Sequence, residues 1–197
     1  MLLFEKNDRG EIMEKIQEIF LGKNQEIYSM KVATEEDAAA LLEHSKKVRG
    51  ETDFLLTYPE EFTMTVDEEK EMLNTFRKTK NQFILCVYYK DCIIASAGIM
   101  PVMEKKKVLH RASFGVCVEK EHWQQGIGKK LMENSVLLAF QAGYEQIELG
   151  VFAVNIRAKE MYEKFGFREW GKIPSAYRLK NGSYRDEILM GLRKEYL

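Results

Sequence analysis

The run from Glu119 to Gly128, EKEHWQQGIG, leads without a break into KKLMENSVLLAF and constrains this chain more than any other stretch. Two glycines, Gly126 and Gly128, stand just ahead of a segment in which Leu131, Met132, Ser135, Leu138 and Ala139 fall on one helical face. Glycine lets backbone N–H groups approach a ligand with no Cβ in the way. A helix N-terminus adds unpaired donors and the positive end of a dipole. The pattern predicts an anion-cradling turn that opens a helix ending near Gly143. The same spacing also serves as ordinary turn chemistry, so the flanking sequence has to decide.

Upstream lies a strand-like run, RASFGVCV, from Arg111 to Val118. Downstream, QIELGVFA reads as a strand buried on both faces. A helix from Asn155 to Phe165 follows, with Gly166 as its left-handed cap. The order strand, glycine turn, helix, strand, then Asn-x-x-Ala-x-x-x-Tyr-x-x-x-Gly-Phe resembles the GCN5-related N-acetyltransferase (GNAT) family. The resemblance covers roughly residues 30 to 192 and is strongest from 111 to 167. It implies an α/β GNAT fold: a mixed, mostly antiparallel sheet flanked by helices, its central parallel strands splayed apart.

The resemblance also implies a cosubstrate, acetyl-CoA, and an activity, direct transfer of its acetyl group to a primary amine of a small molecule or protein N-terminus. Backbone groups of Val116 and Val118 would bind the pantetheine arm, as an added strand would. The pyrophosphate would rest on N–H groups of Gln124, Gln125, Gly126, Ile127, Gly128 and Lys129. Trp123 stands where the family has Gln or Arg; because the cradle is mainly backbone, binding is expected to survive. Asn155 would reach the cofactor, although an Asn at a helix start is also an ordinary N-cap. Tyr162, two helical turns further on, shares its face and would protonate the departing thiolate. The oxyanion falls to the Val116 N–H.

The fourth strand, His110 to Val118, offers no Asp or Glu, which leaves Glu148, His110 or a water chain to solvent as the base. On the acceptor side, Glu60 and Glu61 in FLLTYPEEF could attract a cationic amine or form a solvated loop. Tyr184 and Asp186 belong to a final hairpin without an assigned role. A catalytically silent acyl-CoA sensor or scaffold is the alternative function. A nucleotide-binding domain is disfavoured, because no Gly-x-x-x-x-Gly-Lys-Ser/Thr run is present.

Composition sets bounds on the rest. Of 197 residues, 45% are hydrophobic and 31% charged, with net charge −1, which fits a globular domain and gives no electrostatic case for nucleic acid. Three cysteines, Cys86, Cys92 and Cys117, have no metal spacing and read as buried reduced thiols. No metal is expected. MLLFEKNDRGE is too short in apolar residues for a signal peptide, and no run is long enough to span a membrane, so a cytoplasmic, bacterial-type enzyme is expected.

Residues 1–26 read as an N-terminal helical extension and 27–197 as the GNAT domain. Within the extension, Ile12, Ile16, Ile19 and Phe20 at helical spacing predict a helix over EIMEKIQEIFL, ended near Gly22, whose apolar face could pack on the domain or support a homodimer. A strand over EIYSMKVA, a helix opened by Thr34, a loop from 49 to 64 and a helix opened by the Thr65–Glu68 capping box complete the first half. QFILCVYYK and CIIASAGIMPV then form a hairpin around Lys90-Asp91, and the last two strands turn at Asn181-Gly182.

Overall fold

The hairpin turn at Lys90-Asp91 organises the first half of the sheet. Both residues have positive φ, 48° and 65°, the geometry that matches the twist of two antiparallel strands. They join β3 (Phe83–Tyr89) to β4 (Cys92–Pro101) in a computed structural model that describes residues 17–79 and 81–196. Side chains alternate along β3. Phe83, Leu85 and Val87 join the main core with β1 (Gln17–Leu21), β2 (Ile27–Val32) and α3 (Ile127–Gln141) on one face. Ile84, Cys86 and Tyr88 meet α1 (Ala38–Glu51) and α2 (Val66–Thr79) on the other.

Among the described residues the sheet has eight strands in the order β1-β2-β3-β4-β5-β6-β8-β7. Here β5 is Arg111–Val118, β6 Gln146–Phe152, β7 Arg168–Arg178 and β8 Tyr184–Arg193; α4 is Ile156–Phe165. Only β5 and β6 run parallel, at the centre of the sheet, as a crossover through α3 requires. The expected fold class is what the structure has.

Local chemistry sets most element ends. The Thr65 hydroxyl and N–H both donate to the Glu68 carboxylate at 2.8 Å, closing the capping box of α2. At Thr34 the outcome differs slightly: its N–H donates to Asp37 at 2.9 Å, but the turn so made is 3₁₀, and α1 starts only at Ala38. Gly166 caps α4 at φ 112°.

Three expectations are corrected. Residues 17–21, assigned to the N-terminal helix, are strand β1, hydrogen-bonded antiparallel to β2 from Gln17↔Lys31 to Leu21↔Ile27. The residues of that helix from 11 to 16, like the rest of 1–16, lie outside the described residues. The extra strand makes Arg111–Val118 the fifth rather than the fourth. Second, β6 is not buried on both faces: Ile147, Leu149 and Val151 are, whereas Gln146 and Glu148 are half-buried and Gly150 is exposed. Third, Cys92 is exposed at the hairpin turn, while Cys86 is buried and Cys117 half-buried. Among the described residues no helix is long and apolar enough to cross a membrane.

Candidate active site

The ladder between β5 and β6 is short. It pairs Arg111, Ala112 and Ser113 with Gln146, Ile147 and Glu148, and then the strands part. β5 stays bonded to β4 as far as Val118, and β6 stays bonded to β8 as far as Phe152, so the two diverge as edges of separate half-sheets. The wedge between them opens into a cavity of about 1440 Å³, lined on the β5 side by Phe114 to Val118 and on the β6 side by Gly150 to Phe152. Small-molecule pockets usually enclose about 300–1,000 Å³, so this space fits a long ligand with room for a second one.

The glycine turn forms one end of the cavity. Gln124 and Gly126 both take positive φ, 67° and 88°, which folds the chain tightly before α3. Gly126 is the N-cap, no side chain caps the helix, and a Cβ there would point into open space. The first-turn N–H groups are therefore left without a side-chain cap at the cavity end, an arrangement that can accept an anion. Gln124, Gly126, Ile127, Gly128 and Lys129 line it. Gln125 does not: its side chain donates to the Trp123 carbonyl at 3.3 Å, and its own carbonyl accepts from Lys23 N–H at 3.2 Å. Trp123 is a cavity wall, its Nε1 donating to the Val118 carbonyl at 2.6 Å and its ring under Arg157 at 5.2 Å.

Asn155 and Tyr162 meet the same space from α4. Asn155 is the N-cap, accepting from Ala158 N–H at 3.3 Å. Tyr162 is only 7% exposed, packed edge-on against Phe114 and close to Phe167. Among the described residues its hydroxyl has no hydrogen-bond partner, which separates it from an ordinary buried tyrosine. Burial, and then the neighbouring Cys117, push that hydroxyl up to about 12, so it holds its proton throughout the neutral range.

Glu148 lies elsewhere. It sits opposite Ser113, inside the paired part of β5 and β6, and is not part of the cavity wall. Arg111 donates to it from Nε and from Nη2, the latter at 2.7 Å, and the Gln146 amide adds a third bond at 2.7 Å. The Arg111 guanidinium, above all, holds its carboxyl below the usual range, an arrangement for a structural ion pair and a poor one for a base. His110 likewise lies off the cavity. Glu60 pairs with Lys180 and clasps the loop to the β7–β8 turn, while Glu61 accepts from the Tyr58 N–H at 2.7 Å within the loop. Asp186 accepts from Ser175 N–H and pairs with Lys172. Tyr184 is exposed.

Glu187 on β8 faces the cavity, as do Glu133 on α3 and Glu160 on α4. Glu187 accepts from the Tyr177 hydroxyl at 2.5 Å. Tyr177 stacks on Phe152 at 3.9 Å between centroids, and Phe54 leans on Phe152 at 5.9 Å. Gly150 makes this possible, since a Cβ there would collide with the Glu187 carboxylate. Sequence reading missed this group, which comes from four separate segments. The one available signal was the lone glycine inside β6, a mark of close approach by another group.

The acetyltransferase (GNAT) family model matches residues 50–167. The chain belongs to the GNAT acetyltransferase family. Among curated relatives it is 29% identical over 110 residues to the L-amino acid N-acetyltransferase AaaT of Escherichia coli K12, covering 55% of this chain and 65% of that one. It is 27% identical over 88 residues to human N-acetyltransferase 8, covering 42% of this chain and 37% of that protein. The chain thus matches less than two thirds of the length of these relatives. Among solved structures, a GNAT acetyltransferase of Streptococcus pneumoniae superimposes with a TM-score of 0.81 at 26% identity, over 84% of this chain and 99% of that one. The yncA protein of Salmonella typhimurium, solved with its cofactor acetyl-CoA, has the same fold at a TM-score of 0.75 and 17% identity, over 84% of this chain and 93% of its own.

Proposed function

We propose that this protein transfers the acetyl group of acetyl-CoA to a primary amine of a small molecule or a protein N-terminus. One observation carries the reading: the open edge of β5, the uncapped N-terminus of α3 and the unpartnered Tyr162 hydroxyl converge on one cavity. Acetyl-CoA supplies an activated acyl thioester there. The residues present fit it, because the glycine turn offers N–H donors to a pyrophosphate and Val116 and Val118 offer a strand edge to an amide-rich arm.

Val116 N–H stabilises the oxyanion, and Tyr162 gives its proton to the departing CoA sulfur. Asn155 serves both as the helix cap and as a cofactor-side contact. On the acceptor side, Glu187 attracts the ammonium form of the substrate and takes its proton, so that the neutral amine attacks the thioester carbonyl directly. Phe54, Phe152 and Tyr177 keep water away from that carboxylate. AaaT is named for L-amino acids, and an α-amino group is a compact cation of the kind one carboxylate can hold.

The test is thiol release from acetyl-CoA over a panel of amino acids, amino sugars, polyamines and N-terminal peptides. Release with one amine class is the expected result. Tight acetyl-CoA binding with no release from any amine would instead support a silent sensor.

A further inference from the structure

Four side chains outside the chemistry above form a connected line that ends in the cavity wall. Cys117 projects from β5 towards α1, on the face opposite Val116 and Val118. Its Sγ lies 3.4 Å from Nε2 of His44 and 3.2 Å from Oγ of Ser96. The other ring nitrogen of His44, Nδ1, lies 3.3 Å from the Glu119 carboxylate. Glu119 in turn accepts from Lys47 at 2.5 Å, and Lys47 also reaches Glu121 at 2.6 Å. The His44 side chain is fully buried and that of Glu119 is 5% exposed, whereas Cys117 lines the cavity.

A structural explanation accounts poorly for this line. A buried imidazole between a thiol and a carboxylate is a costly way to fill a core, since each polar group must be desolvated. The order thiol, imidazole, carboxylate is that of an activated nucleophile, in which the acid fixes the tautomer and the ring takes the thiol proton. The electrostatics agree. Burial opposes ionisation of Cys117, but the His44 hydrogen bond and charge, then Ser96 and Arg49, outweigh it and leave the thiol lowered. Burial likewise works against the His44 cation, and the contacts to Cys117 and Glu119 leave it raised. Cys86, two strands away and fully buried, is pushed the opposite way by desolvation. The oxygen and nitrogen atoms of Glu119, Glu121 and His122 also lie within 4.8 Å of one another, but Lys47 already supplies the cation between the two carboxylates.

We propose that Cys117, activated by His44 and Glu119, is a second acyl acceptor in this cavity and takes the acetyl group of acetyl-CoA as a reversible S-acetyl thioester. The inference rests on the reading of the cavity as an acetyl-CoA site. Cys117 Sγ forms a bond to the acetyl carbonyl carbon as the bond from that carbon to the CoA sulfur breaks. The thiol proton passes to Nε2 of His44 and from there to the CoA sulfur, so no oxidant or reductant is involved. One thioester replaces another, so the equilibrium lies close to balance and free CoA reverses it. When a neutral amine occupies the Glu187 side it takes the acetyl group directly; when none does, Cys117 holds it in proportion to the ratio of acetyl-CoA to CoA.

The experiment uses the full chain carrying Cys92→Ser, which removes the exposed thiol. It is incubated with acetyl-CoA and no amine, and its intact mass and peptide map are followed beside a calorimetric titration of acetyl-CoA. The expected result is a gain of one acetyl group at Cys117, removed by excess CoA and absent from Cys117→Ser. His44→Gln slows the gain by about 10²-fold, the effect of losing a positioned base. Alkylation by iodoacetamide at pH 7 gives a readout without acetyl-CoA. His44→Gln reduces the Cys117 rate by about tenfold, towards an ordinary thiol that is only a few per cent thiolate. Acetyl-CoA binding with no mass gain at Cys117 overturns the proposal and leaves the transferase intact. An alkylation rate equal to that of a free thiol in the wild type also overturns it, whatever the fold of the variants. No acetyl-CoA binding at all overturns the cavity reading itself.

Discussion

Tyr162→Phe separates chemistry from packing, because the structure predicts opposite sizes for the two effects. The ring is held by Phe114 and Phe167, and Phe keeps that ring. The hydroxyl has no protein partner among the described residues, so its removal leaves no donor or acceptor stranded. Stability should therefore change by no more than about 0.5 kcal/mol, which for a chain of this size is a Tm shift of about 1–2 °C. The catalytic loss should be much larger. A positioned general acid is worth about 10²–10⁴ in rate, and a departing thiolate, whose own pKa is about 8.5, places this case at the lower end. We expect kcat to fall about 10²-fold, with the KM for acetyl-CoA within about twofold of the wild type, since only the proton transfer is lost. Because Tyr162 is pushed up to about 12, no alkaline limb of the wild-type profile below that pH belongs to it. The assay is steady-state thiol release beside a calorimetric melt of the same samples. Full activity in the variant would refute the acid role, and a Tm drop of 8 °C or more would show that the hydroxyl is structural.

Other perturbations have equally definite outcomes. Glu187→Gln should raise the amine KM at least tenfold and lower kcat by about 10²-fold while leaving acetyl-CoA affinity unchanged in calorimetry, the loss of one charge-assisted contact and of the proton acceptor. Gly150→Ala should have the same kinetic signature while keeping Glu187 in the sequence, because the new Cβ displaces its carboxylate; unchanged amine kinetics would remove Glu187 from the acceptor site. Glu148→Gln should leave kcat within a few-fold of wild type in the thiol assay, since its carboxylate is occupied by Arg111. Asp37→Asn should cost about 1–3 kcal/mol in urea unfolding at pH 7, the cost of weakening charge-assisted bonds to Lys31, Tyr88 and Thr34. Burial raises the Asp37 carboxyl but those bonds outweigh it and leave it lowered. The stabilisation is therefore present above the unfolded value, about 4, and fades as pH falls through the lower folded one, so the two proteins should converge in acid.

The side of the cavity formed by the glycine turn, α3 and α4 was legible because it is local. The glycine turn, the α3 face and the Asn155–Tyr162 spacing each lie within one segment, and short-range rules fix their geometry. The same holds for the turns at Lys90-Asp91 and Asn181-Gly182, the latter with Gly182 at φ 82°. The cluster of Phe54, Gly150, Tyr177 and Glu187 was not legible, because these residues meet only when the loop after α1, β6, β7 and β8 assemble. Glu148 shows how finely this depends on register. It falls one position short of where β5 and β6 part, and that point is set by pairing with β4 and β8 rather than by β6 itself. At the N-terminus, Ile19 and Phe20 fit a helical period, yet the edge of β2 offers hydrogen bonds that residues 17–21 satisfy as a strand, leaving Ile19 70% exposed. His44, Cys117 and Glu119 carry no joint signal either, lying 75 residues apart from first to last.

The central claim is that the wedge between β5 and β6, closed by the N-terminus of α3, holds acetyl-CoA. Calorimetric titration of acetyl-CoA into the wild type and into Gly126→Val tests it most directly. Val at φ 88° strains the turn by about 1–2 kcal/mol and puts carbon where the phosphates approach. The account predicts saturable one-to-one binding by the wild type and a loss of affinity of at least about 10²-fold in a variant that still melts cooperatively. Equal affinity in the two proteins, or no binding by the wild type, would contradict it.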